Sequence, residues 1–122
     1  MNNMNPVIFL AGFLIISGLS SCDHLYTYTY TLSNHADTTI TVHLKANNLD
    51  TIYAVPNNET KLLYVVTHLG DAHGPDFINV SEDLKTFLVT KKNVASHRDY
   101  LKNETWNFEK GDYKTDVTND EF

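Results

Sequence analysis

The 122-residue chain has a single cysteine, so no intramolecular disulfide can staple it. Five glycines and three prolines leave no phosphate-cradling glycine run, no internal repeat and no low-complexity block. Cations are scarce as well: nine Lys and Arg stand against fifteen Asp and Glu, for a net charge of −6. They are scattered from Lys45 to Lys114, with Lys91-Lys92 the one adjacent pair. Nucleic acid and anionic lipid headgroups reward clustered cations, so neither is the expected main partner. The longest apolar run, residues 7–16, falls well short of the roughly 20 residues that cross a bilayer as a helix.

That run has the length of a secretory core, and small residues follow it at Ser17, Gly18, Ser20 and Ser21. The chain then reads Leu19-Ser20-Ser21-Cys22. This tetrapeptide resembles the lipobox of the bacterial lipoprotein family, with Leu three positions before the cysteine and small residues between. The resemblance implies cleavage before Cys22, a diacylglyceryl group on its sulfur and acylation of the new amino terminus. A thiol suits that role because its thiolate is the strongest nucleophile among ordinary side chains near neutral pH. Met1 to Pro6 depart from the family pattern in carrying no Lys or Arg, so the α-amino group alone supplies the usual positive charge. The plainer alternative is a secreted protein cleaved near Ser20 or Ser21, with Cys22 a leftover thiol.

On this reading residues 1–21 are a lipoprotein signal peptide and residues 22–122 one domain. The leader holds no charged side chain, so the whole net charge belongs to the mature part. The resemblance places it in the bacterial cell envelope, on the periplasmic face or the cell surface, with the membrane as a partner through acylated Cys22. Three residues, Asp23 to Leu25, separate the anchor from the body of the first strand, a tether of roughly 10 Å.

Residues 25–32 alternate strictly, with Tyr26, Tyr28, Tyr30 and Leu32 on one face and Thr27, Thr29 and Thr31 on the other. Alternation resumes with Ile40, Val42 and Leu44, and a hairpin joining these two strands is expected. A third strand is expected over 50–55 and a central one over 61–67, where both faces are apolar. Residues 68–76 read as a loop, 77–80 as a short strand and 81–84 as a helical turn. Residues 86–90 read as a further strand, 96–103 as a turn or short helix, and 106–108 with 113–118 as a terminal hairpin before a short tail. Six to eight short strands and no long helix predict an all-β fold, a small antiparallel sandwich or barrel.

Candidate chemistry is sparse. His68, Asp71, His73 and Asp76 share one stretch and suggest a metal loop, but their spacing matches no known ligand motif and a polar surface loop is the favoured reading, with no metal or cofactor. Ser81, Glu82, Asp83, His97 and Asp99 are of types that serve as acid, base or nucleophile, yet no nucleophile elbow or metalloprotease signature frames them. Tyr26, Tyr28 and Tyr30 either cover the core, which is favoured, or form an exposed platform for a sugar ring or an apolar partner. Asp37-Thr38-Thr39 and Asp50-Thr51-Ile52 resemble the acceptor of a bacterial O-glycosylation system, which would put glycans on Thr38 and Thr51 at loop-to-strand junctions. The combined expectation is a noncatalytic, lipid-anchored binding or structural module with a protein or glycan partner. The competing expectation is a small envelope hydrolase or metal-dependent enzyme.

Overall fold

The computed structural model describes residues 24–122; the expected signal peptide over 1–21 and the expected lipidation site Cys22 lie outside the described residues. Eight strands form two four-stranded sheets packed as a sandwich, as the alternation predicts. The elements are β1 (His24–Asn34), β2 (Ile40–Ala46), β3 (Asp50–Val55), β4 (Thr60–Gly70), the single helical turn α1 (Val80–Asp83), β5 (Leu84–Lys91), β6 (Val94–Ala95), β7 (Asn107–Glu109) and β8 (Asp112–Val117). One sheet has the order β4-β1-β8-β7 and the other β3-β2-β5-β6.

The expected hairpin between the first two strands does not form. β1 pairs with β4 and β8, whereas β2 pairs with β3 and β5 in the opposite sheet. The corner between them is built by Asn34, whose amide donates to the carbonyls of Thr38 and Val55 while its oxygen accepts from the Ala36 N–H. A fully buried side chain thus supplies the hydrogen bonds that the chain forgoes on leaving its sheet.

β4 is an edge strand, correcting the expectation of a central one. A bulge opposite Tyr30/Thr31 turns both Leu63 and Tyr64 inward, and this irregularity, not two-sided burial, blurs the apolar alternation. The outward residues Leu62, Val65 and Leu69 remain exposed. The open edge is partly covered: the Tyr53 hydroxyl donates to the Leu63 carbonyl at 2.9 Å, and the Lys61 ammonium lies 5.0 Å from the Tyr53 ring.

β1 and β8 run parallel, so the sandwich is mixed and not purely antiparallel. The terminal hairpin β7–β8 forms as expected, with Lys110 and Gly111 both at positive φ in its tight turn. A β-carbon on Gly111 would stand 2.9 Å from the Thr27 carbonyl oxygen, so only glycine fits there. Residues 77–80 are not a strand: the Tyr113 hydroxyl bonds both the amide and the carbonyl of Ile78, replacing ladder partners, and Val80 opens α1. His68 to Gly70 extend β4 where a loop is expected. The carboxy-terminal residues are a packed 3-10 turn (Asn119–Glu121) and not a loose tail.

The core between the sheets is aromatic. Tyr30 stacks on Tyr113 at 4.4 Å, Trp106 meets Tyr30 and Phe87 edge-on, and Leu32, Ile40, Val42, Leu44, Val89 and Val117 fill the remainder. Rings this size bury 150–250 Å² each, which suits a domain of this length with no covalent staple.

Candidate functional site

Two features rise above the generic sandwich: a buried carboxylate that gathers titratable side chains, and apolar rows on the outward faces.

The carboxylate belongs to Asp83, the last residue of α1 and 3% exposed. Tyr30 of β1 donates to Oδ2 at 2.6 Å and His68 of β4 meets Oδ1 through Nε2 at 2.6 Å. The carboxylate accepts, so Nε2 carries the hydrogen of this contact. The His68 ring also stands edge-on to Tyr28 at 5.1 Å. Burial, then the hydrogen bond to Asp83, pushes the Tyr30 hydroxyl far above its ordinary value. Burial followed by the Asp83 charge raises Tyr64 as well, and burial pushes Tyr113 up to about 12. Burial and the charge of Asp76 raise Tyr28. These hydroxyls therefore stay protonated and act as donors, Tyr30 to the Asp83 carboxylate, Tyr64 to the Asn48 side-chain oxygen, and Tyr28 and Tyr113 to the carbonyls of Asp76 and Ile78.

An Asp-oriented histidine is half of a hydrolytic triad, but the residues that would complete it stand elsewhere. Ser81 and Glu82 are exposed on α1, with the Lys85 ammonium on their carbonyls. His97 binds the Asp120 carbonyl, and Asp99 caps the Leu101 amide. Of the sequence-derived acid–base set, Asp83 alone joins a second titratable group, and its partner comes from the stretch read as a metal loop. That stretch is not a ligand cluster: His68 turns inward on β4, Asp71 accepts from the His73 amide, and the Asp76 carbonyl accepts from Tyr28. Among the described residues no three His, Cys, Asp or Glu side chains converge as a metal-holding group.

The tyrosines cover the core, as the favoured reading has it, and do not form an exposed platform. Tyr28 and Tyr30 belong to the core, and Tyr26 is half-buried against it with its hydroxyl on the Asp71 carbonyl. The inward pleat of β1 is the one that meets the other sheet, so the alternating tyrosines fill the interior. Thr38 lies in the corner before β2, its carbonyl held by Asn34. Thr51 is half-buried in β3 opposite buried Leu44, sharing the inward register of Tyr53 and Val55.

The outward faces carry the apolar residues that the sequence reading left unassigned. On the β3-β2-β5 sheet, Ile52, His43 and Leu88 are register partners and form a row across three strands, with Ile52 and Leu88 exposed. His43 binds Asp50 at 2.8 Å, and Thr41, Lys45, Thr86 and Thr90 rim the row. On the other sheet Leu25 of β1 lies opposite Leu69 of β4, with Val65 and Leu62 further along. The period-two pattern already held this information, since Leu88 and Ile52 fall on the pleat opposite Val89 and Tyr53. Among the described residues, no helix is long and apolar enough to cross a membrane. No family model, curated protein or solved structure matches the chain.

Proposed function

We propose that this protein is a lipid-anchored lipoprotein of the bacterial cell envelope that acts as a noncatalytic binding or structural module, with a protein or glycan partner. The single observation that supports the binding role is the Ile52–His43–Leu88 row: apolar ends flank a polar centre, within a rim of Thr and Lys. Exposed apolar side chains grouped with polar neighbours are what recognition surfaces present, the apolar contact providing affinity and the polar groups register. Both oxygens of the buried Asp83 carboxylate, by contrast, are engaged internally, by Tyr30 and His68. Anchoring rests on Leu19-Ser20-Ser21-Cys22.

Replacing Cys22 by Ser tests the anchor: acyl-chain labelling is lost and the protein moves from the membrane to the aqueous fraction. Unchanged membrane retention overturns it. A photo-crosslinking residue at Leu88 tests the face in the native envelope. A discrete adduct that disappears in the Ile52→Ser variant, with folding retained, supports binding there. The second reading, a hydrolase centred on His68 and Asp83, is favoured by their 2.6 Å contact alone. It requires a turnover lost in His68→Gln.

A further inference from the structure

We infer that the outward face of β1 and β4, led by Leu25 and Leu69, seats on the lipid surface beside the anchor. This rests on the lipid-anchor reading and deepens it by naming the surface that touches the bilayer. Cys22 precedes His24, the first residue of β1, by two positions, a span of about 7 Å even when fully extended. An acylated Cys22 therefore holds that end of the sandwich within one side-chain length of the headgroups. At that same end Leu25 is 72% exposed and Leu69 is 66% exposed, and the two are direct partners across the strands.

The surface continues in a form that suits a lipid interface. Along the rest of the ribbon, Val65 and Leu62 are exposed beyond the leucine pair, and threonine and serine fill the outward positions between them. No charged side chain occupies an outward position of the ribbon from Leu25 to Ser33 or from Leu62 to Leu69; charges flank it at Asp71, past the end of β4, and on β8, where Asp112 accepts from the Thr29 hydroxyl and Lys114 lies opposite Thr31. A charged group pressed into the acyl boundary carries a large desolvation cost, while hydroxyls can bond to headgroup oxygens. The chain is acidic, with scattered cations, so attraction to anionic headgroups is not the driving force. Apolar contact is, and the seating is accordingly insensitive to salt. It also leaves the Ile52–His43–Leu88 row, on the opposite sheet, facing away from the membrane.

The test uses the full acylated protein in vesicles of phosphatidylethanolamine and phosphatidylglycerol containing lipids with a nitroxide on the upper acyl chain. A bimane label is placed on Leu69→Cys and, separately, on Leu88→Cys, the introduced thiol being the free one once Cys22 is acylated. Thr67→Cys, exposed on the same face, replaces Leu69→Cys if that variant folds poorly. Quenching several-fold greater at 69 than at 88, unchanged between low and high salt, is expected. Equal quenching at both positions, or stronger quenching at 88, overturns the seating, as does a label at 69 that stays in water on vesicle-bound protein. A label at 69 shielded by a second copy, shown by cross-linking between copies without lipid quenching, overturns it in favour of self-association. Mass spectrometry of Cys22 keeps the two levels apart: a bare thiol sinks the anchor itself, whereas acylated protein with an unquenched label sinks the seating alone.

Discussion

The sandwich buries two carboxylates, Asp83 and Glu121, and the way each is held differs. Asp83 sits mid-chain, gripped by Tyr30 and His68 from two strands of one sheet. Glu121 is 4% exposed and lies one residue from the carboxy terminus, accepting from Tyr100, Ser96, the Thr118 amide and Arg98. Arg98 also reaches the carbonyls of Asp116 and Thr105 and stacks on Tyr100. Each carboxylate has a buried tyrosine donor, yet the first ties two neighbouring strands of one sheet to the turn that leads into β5 of the other, and the second fastens residues 118–122 onto the body. The number of bonds is the poorer guide to consequence; what matters is whether the segment can open without the rest of the fold.

The largest effect expected from this contrast is at Asp83. Asp83→Ala strands the fully buried Tyr30 hydroxyl and removes the partner of the part-exposed His68 ring, and should lower global stability by about 3 kcal/mol in urea unfolding. A loss under 1 kcal/mol would show that the node is ornamental.

Alkaline unfolding comes next. Tyr30, Tyr100 and Tyr113 are all raised above their unfolded value near 10, burial being the first cause in each. Above pH 10 the unfolded chain releases those protons while the folded one keeps them. Stability contributed by these groups is thus complete below pH 10 and falls as pH rises, with Tyr113 following through about 12, at about 1.4 kcal/mol per pH unit for each tyrosine involved. Urea midpoints measured from pH 8 to 11.5 check this. Tyr30→Phe should flatten the slope, as should Tyr100→Phe, and a flat profile in the parent protein would refute the argument.

The smallest global effect is expected at Glu121, despite its larger set of partners. Glu121→Ala lets the last turn fray, costing about 1 kcal/mol in global unfolding while sharply accelerating amide exchange at His97, whose N–H rests on the Glu121 carbonyl. A global loss equal to that of Asp83→Ala would erase the distinction.

The sandwich class was legible because period-two alternation in residues 25–32, 40–44 and 86–90 is a local signal, and these segments are strands. Partnership between strands was not, since alternation says which pleat faces inward and nothing about which neighbour lies alongside. Asn34 illustrates the gap: it reads as a turn residue, but its amide is the fully buried pivot that sends the chain across to the other sheet. Likewise, both-sided apolarity in β4 reflects an outward row of exposed Leu62, Val65 and Leu69 together with a bulge that turns Leu63 and Tyr64 both inward, and neither exposure nor bulge is visible before the strands are paired. At the candidate sites, His68 and Asp83 were each visible as polar residues, though their meeting depends on a strand longer than expected and on the placement of a four-residue helix. The outer-face rows lie in the same pattern, but alternation alone does not say which of two apolar pleats the other sheet covers.

The parallel pairing of β1 with β8 has a consequence for how the molecule comes into being. Synthesis delivers the amino end first, so the first strand must wait for about eighty further residues before its second flank arrives at 112–117. Until Asp112 to Val117 emerge, that strand presents a bare row of amides and carbonyls and a stripe of unshielded tyrosines, an invitation to stick to other nascent chains. Maturation of this protein should accordingly be slow and all at once, and carboxy-terminal truncation should leave aggregates in place of a smaller folded body.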